Sequence, residues 1–301
     1  MHALAIAVPP HDLPVDPAKR YIPEQLTPLF HTRSYADLTA DQRLRYNQLH
    51  ALYFNEQIMF FETVLGRTVL QALLRDPWPR RLAEILQRFH DEERQHTEMF
   101  RQLNRRCAPR LYGGGDLHFV QASAGSLACL RWAAARPARF PLFLWLMLLQ
   151  EERALFYSRA YIGGRDLLEP HFVAAHRRHL ADEVWHVRWD EELIDQLWRR
   201  AGPVLRTINA RLFAWMLEEF FGTPKRAQLR VVDELARELP ELGARRRELR
   251  RQLLALSHDQ DYRRTLYCRE MVPITFAHFD AAPELRRLGL CGHRPWPEGV
   301  R

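Results

Sequence analysis

None of the four cysteines, Cys107, Cys129, Cys268 and Cys291, pairs with another at Cys-x-x-Cys spacing. The chain therefore offers neither a thiolate zinc site, nor an iron–sulfur motif, nor a disulfide framework, and free thiols are expected. It also lacks the continuous run of roughly 18 to 20 apolar residues that a membrane helix needs. The longest candidate, Phe140 to Leu149, has ten residues and reads as a buried helix. The N-terminal MHALAIAV has no charged segment ahead of its short apolar run, so a cytoplasmic protein that does not contact membranes is expected. Strand-like alternation is sustained nowhere, and no flavin or nicotinamide fingerprint is present.

What remains is a chain of 301 residues with 47% hydrophobic content, enough to bury one large core. The expected fold is all-α: a four-helix bundle with additional C-terminal helices, forming a single domain over 1–301. Residues 1–37 read as an extended, proline-rich arm, 38–201 as the bundle and 203–290 as the additional helices. The formal charge of +7 would suit an anionic small substrate or an acidic carrier protein. Arg245, Arg246, Arg247, Arg250 and Arg251 alternate with Glu241 and Glu248, which reads as a solvated helical face rather than a nucleic-acid patch. Homodimerisation is left open.

Local signals divide the bundle. Thr39 and Gln42 form a capping box opening a helix that stops before Asp76-Pro77, and Pro79 restarts the chain into a second helix ending near Cys107. Gly113-Gly114-Gly115 marks the joint between halves. A third helix follows Pro141 and ends at Gly163-Gly164, and a fourth runs from about Asp166 to Arg200. Residues 203 to 256 read as two helical patterns parted by Gly222-Thr223-Pro224, with a less regular helical region from His258 to Gly289.

Within those helices a Glu-x-x-His pair occurs twice, as Glu93–His96 and Glu183–His186. Positions three apart share a helical face, so each pair can offer an oxygen and a nitrogen to one ion. One copy would arise by chance about once in such a chain; two copies with upstream partners carry more weight. Glu62 precedes Glu93 by 31 residues and Glu152 precedes Glu183 by 31, which suggests two similar hairpin half-sites. Glu56 and Glu151 are the rivals that this equal spacing sets aside. His179, four residues before Glu183, adds a third imidazole on the same face, ahead of His176 and His90 as alternatives. Carboxylates and imidazoles in this ratio suit two Fe ions first and Mn second. Glu92 and Asp182, each directly before a pair's Glu, are positioned to hydrogen-bond an imidazole on the partner helix. Ile58, Met59, Gly66, Met99, Phe100, Leu148, Leu149 and Phe156 lie three or four residues from the set and read mainly as core, with Gly66 the position most suggestive of open space.

This set, Glu62, Glu93, His96, Glu152, His179, Glu183 and His186, resembles that of the p-aminobenzoate N-oxygenase (AurF-like) family of ferritin-like diiron oxygenases. The likeness spans about residues 40 to 200 and rests most on His179, the additional imidazole. The resemblance implies a diiron monooxygenase that uses O2 to N-oxygenate an arylamine or amino-acid-derived amine towards hydroxylamine, nitroso or nitro product through a peroxo-diferric intermediate, within natural-product biosynthesis. It also implies an external electron donor. The alternative is a diiron hydroxylase or desaturase acting on an acyl or aminoacyl group held on a carrier protein.

Overall fold

The computed structural model describes residues 13–221 and 226–288. Its main helices are α1 (Ala40–Phe60), α2 (Arg67–Leu73), α3 (Arg80–Cys107), α4 (Ala124–Ala134), α5 (Leu142–Gly163), α6 (Pro170–Trp198), α7 (Pro203–Phe221), α8 (Arg226–Glu238), α9 (Arg246–Ala255) and α10 (Pro273–Ala281). No strand occurs among the described residues; Arg20 and Leu168 form an isolated bridge. The fold is all-α, and α1, α3, α5 and α6 make the expected bundle. No helix among the described residues is long and apolar enough to cross a membrane.

The helix starts follow from side-chain capping. Thr39 Oγ1 accepts from Gln42 N at 3.2 Å while Gln42 Oε1 accepts from Thr39 N at 3.1 Å, closing the capping box at α1. Pro79 precedes α3, and Glu169 caps α6 through His171 N at 2.7 Å and Phe172 N at 3.2 Å. That cap, with Pro170 in the first turn, starts α6 four residues later than Asp166.

One irregularity positions chemistry. Between α1 and α2 the chain makes a π-helical turn, Phe61–Gly66, and Glu62 lies within it. Such turns widen the helix by one residue and re-aim the side chains they carry.

Elsewhere the chain departs from the sequence reading in particulars. The arm is not extended over its described part: Glu24–Leu26, Pro28–His31 and Arg33–Ala36 form single helical turns. Asn47 Oδ1 accepts from Tyr21 N at 2.9 Å and the Tyr46 hydroxyl accepts from Leu29 N at 3.0 Å, docking the arm on α1. Helix α4, started by Ser123 Oγ accepting from Ser126 N at 3.1 Å, fills the joint read only as loop. Where one helical pattern was read after residue 225, α8 and α9 are separated by a turn at Pro240–Arg245, because a proline pushes the residue before it out of helical conformation; Leu239 sits at φ −121°, ψ 84°. Residues 222–224 and Gly289 lie outside the described residues. Arg246 pairs with Asp233 at 2.7 Å, Arg250 also with Asp233, and Arg245 with Asp37 at 3.5 Å, leaving a solvated, ion-paired face. Cys107, Cys129 and Cys268 are free.

Candidate metal centre

At the middle of the bundle two groups of buried side chains converge: Glu93, His96, Glu183 and His186, and beside them Glu62, His96 and His179. In each group every residue offers an atom within 4.8 Å of the others. His96 Nδ1 lies 3.4 Å from Glu183 Oε1, 3.7 Å from Glu93 Oε1 and 3.9 Å from Glu62 Oε1. His186 Nδ1 lies 3.4 Å from Glu93 Oε1 and 3.3 Å from Glu183 Oε2. His179 Nε2 reaches Glu62 Oε1 at 3.4 Å and Glu183 Oε1 at 2.7 Å. Six of the seven residues read from the sequence therefore meet.

Their inward atoms are crowded yet unsatisfied. Glu62 Oε1, Glu93 Oε1, both Glu183 oxygens, His96 Nδ1 and His186 Nδ1 are all buried and make no properly directed hydrogen bond. The outward nitrogens of His96 and His186, by contrast, are paired. His96 Nε2 lies 3.0 Å from Asp182 Oδ2, and His186 Nε2 lies 3.0 Å from Glu92 Oε2, so each of the two helices α3 and α6 braces the imidazole of the other. Arg88 in turn holds Glu92 at 2.8 Å, and Thr97 Oγ1 donates to Glu62 Oε2 at 2.9 Å, which turns Oε1 inward. The donor set and the unpartnered inward atoms fit a pair of hard-to-borderline cations.

Electrostatics follow from the crowding. Burial, with Glu93 beside it, raises the Glu62 carboxyl well above its ordinary range. Burial alone would lower the His96 imidazole, but its bond to Asp182 and the surrounding carboxylates outweigh that and lift it to about 10. His186 is likewise raised, by Glu183 and Glu92 against burial. His179 goes the other way: burial, reinforced by the neighbouring imidazoles, holds it well below its ordinary value. Asp182 is lowered by its bond to His96, and Glu92, despite burial, by His186 and Arg88.

Glu152 is the correction. Its carboxylate accepts from Ile274 N at 2.8 Å and Thr275 N at 2.6 Å and so caps α10, turned away from the cluster. Its neighbour Glu151, about 100° round the helix, is buried and borders a small cavity together with Glu62, Glu93, His179 and Gly66. The equal spacing thus selected the carboxylate that binds the start of α10, while its neighbour borders the cavity. Glu56, the other rival, is structural: it accepts from Tyr112 Oη at 2.7 Å and from His118 N, Phe119 N and Val120 N at 2.9, 2.8 and 2.7 Å, organising the joint after α3. His176 stacks on Tyr161 at 3.7 Å, and His90 lies 3.3 Å from Gln71 Nε2; neither belongs to the groups above. Arg94 is exposed, and Arg153 donates to Gln150 Oε1 at 2.7 Å.

The small cavity beside Glu62 is the first of a row of three cavities that share walls. It shares Ile58, Gln150, Ala154 and His179 with a second small cavity. That one shares Phe54, Gln57, Gln150, Arg153 and Tyr157 with a chamber of about 720 Å³. Of the apolar candidates, Ile58 and Gly66 border these cavities, whereas Met59, Phe100, Leu148 and Leu149 are core. A Cβ built on Gly66 would stand 3.3 Å from Glu93 Oε2, so the glycine leaves the room the carboxylate uses. Sequence reasoning missed Gln150, Ala154 and Tyr157, although their positions at i, i+4 and i+7 place them on one face of α5.

Among curated proteins no sequence matches this chain. The sequence profile of the p-aminobenzoate N-oxygenases matches residues 8–266, most of the chain and all of the bundle. The chain thus belongs to the AurF family of p-aminobenzoate N-oxygenases.

Proposed function

We propose that this protein is a non-haem diiron monooxygenase that N-oxygenates an amine. Glu62, Glu93, His96, Glu151, His179, Glu183 and His186 would hold two iron ions, with manganese the alternative metal. Four carboxylates from this set match the charge of two divalent cations. When bound, the metal pair supplies the reduction of O2 and the transfer of an oxygen atom to nitrogen.

The chain's own residues prepare that chemistry. Asp182 and Glu92 fix the tautomers of His96 and His186 so that both present Nδ1 inward. Thr97 fixes Glu62 in the same sense. Phe89 stacks on His186 at 4.0 Å and Phe100 packs edge-on against His179 at 5.2 Å, covering two of the imidazoles with apolar rings. His179 keeps its lone pair available at neutral pH because burial disfavours its charged form. The small cavities bordered by Gln150, Arg153 and Ala154 separate Glu62 and His179 from the larger chamber and mark the side from which a substrate would approach. Electrons would come from an external donor.

The observation that carries the reading is the contrast between inward atoms without hydrogen-bond partners and outward imidazole nitrogens that all but one have them. Anaerobic loading with ferrous iron should give two irons per chain, and O2 with a chemical reductant should then convert 4-aminobenzoate or a related arylamine to products heavier by oxygen, labelled from 18O2. Two bound irons with no oxidation across a broad amine panel would overturn the reaction; fewer than two irons would overturn the centre.

A further inference from the structure

The chamber that lies beyond these small cavities is far larger than a single aromatic ring requires. Its volume of about 720 Å³ falls in the range that encloses drug-sized ligands. Its described lining carries Arg153, Arg226 and Arg230 and no aspartate or glutamate. That imbalance favours an anion. The wall is also aromatic where it narrows: Phe54 and Tyr157 stack at 4.8 Å with 19° between their planes, and Arg153 lies over the Tyr157 ring at 5.3 Å.

Two buried polar atoms on the chamber wall have no partner. His50 is 4% exposed and its Nδ1 is unsatisfied, as is Gln228 Oε1. Burial lowers the His50 imidazole to about 3, so it faces the chamber as a neutral ring with one nitrogen to offer. His50 packs edge-on against Tyr53 at 5.4 Å, which keeps the ring in place. Unpaired buried polar atoms in a concave site are what a ligand's own donors and acceptors would satisfy.

We propose that the amine substrate is an elongated anion, more than one ring long: its amine-bearing end passes Gln150 and Ala154 towards the metals while its body fills the chamber against His50, Gln228 and the arginines. The inference rests on the amine-oxygenase reading but concerns a different part of the molecule, and it assigns a class wider than the benzoate for which the family is named.

The test uses the full chain and three probes: 4-aminobenzoate, 4′-aminobiphenyl-4-carboxylate and uncharged 4-aminobiphenyl. Calorimetry on the metal-free protein should find the biaryl carboxylate binding at least about tenfold tighter than 4-aminobenzoate, the gain expected for six further buried ligand atoms. It should also bind tighter than uncharged 4-aminobiphenyl, and Arg226→Gln should shrink that second difference. Leu130→Trp, which fills the chamber, should weaken the biaryl about tenfold and leave the single ring within about twofold. His50→Phe should weaken the biaryl without altering the circular dichroism spectrum. Equal affinity for one and two rings, or a biaryl indifferent to Leu130→Trp, would overturn the proposal. If 4-aminobenzoate is oxidised while the biaryl neither binds nor reacts, the chamber assignment falls and the oxygenase reading stands; if the biaryl binds as expected but no amine is ever oxidised, the reverse holds.

Discussion

Replacing Glu151 and Glu152 one at a time separates two roles that sit side by side on α5. Glu152 is 3% exposed and its carboxylate receives two backbone N–H groups at 2.8 and 2.6 Å. Removing such a cap costs ~0.5–2 kcal/mol, and leaving the buried N–H groups without an acceptor adds ~1–3 kcal/mol. Glu152→Ala should therefore lose about 2–4 kcal/mol, since the two terms overlap. For a chain of this size that corresponds to a melting temperature lower by about 3–6 °C. Glu152→Gln keeps an acceptor oxygen and should lose about half as much.

Metal binding should respond in the opposite pattern. Glu151 borders the cavity with Glu62 and Glu93 and, in the reading above, donates to one metal. Glu151→Gln removes one of four charges and should lower occupancy at one iron by ~10- to 100-fold in affinity, with little effect on the metal-free melting temperature. The assays are calorimetric melting of the metal-free proteins and iron content after anaerobic loading and desalting. If Glu152→Gln is the variant that loses iron and Glu151→Gln loads fully, then α5 presents the other face to the metals and the assignment made here is wrong.

Asp182→Asn should lower the affinity of the site containing His96 by ~10- to 100-fold, because the acceptor that fixes the imidazole is gone, and Glu92→Gln should do the same at His186; unchanged iron content in a competition with a chelator would refute both. Gly66→Ala places a methyl 3.3 Å from Glu93 Oε2 and should weaken metal binding, while the metal-free protein melts at the same or a higher temperature because alanine favours helix by ~1 kcal/mol; a lower metal-free melting temperature with full loading would contradict this. At pH 7 His96, raised to about 10, holds a proton that a metal must displace, and the upward shifts of His186 and Glu62 act in the same direction. Loading in weakly buffered solution should then release protons, and apparent affinity should rise between pH 6 and 8; no release would refute the cluster electrostatics. The same raised values stabilise the metal-free fold most at low pH: the contribution of His96 is complete below about 6.5 and fades as pH rises towards 10, so metal-free melting temperatures should fall across that window.

Much of the bundle was legible because its signals are local. Thr39 with Gln42, Pro79, Pro141 and the Gly163-Gly164 pair each act on backbone within a turn of themselves, and the helices begin or end where they stand. The two Glu-x-x-His pairs were legible for the same reason, since one turn of helix fixes their common face. What failed were inferences across an irregularity. Equal counts of 31 residues place Glu62 and Glu152 alike only if both hairpins turn at a constant 100° per residue, and the π-helical turn at Phe61–Gly66 breaks that phase in one hairpin alone. Nor could α5 reveal that Ile274 and Thr275, more than 120 residues later, would claim the Glu152 carboxylate. The chamber was illegible because its walls come from the arm, α1, α4, α5, α8 and the segment around Tyr262, which only tertiary packing brings together.

Three acidic doublets, Glu92–Glu93, Glu151–Glu152 and Asp182–Glu183, recur around the centre, and in each the two carboxylates point about 100° apart. One member faces the cavity or cluster while the other holds a neighbouring element: Glu92 the imidazole of α6, Asp182 that of α3, Glu152 the start of α10. A doublet does this because a ligand on a helix is only as well placed as the helix itself, and the adjacent carboxylate ties that turn to whatever packs against it. In the first and third doublets the brace comes first in sequence, in the second it comes last. The doublet marks the site, and the partner across the interface decides which residue is spent on the brace.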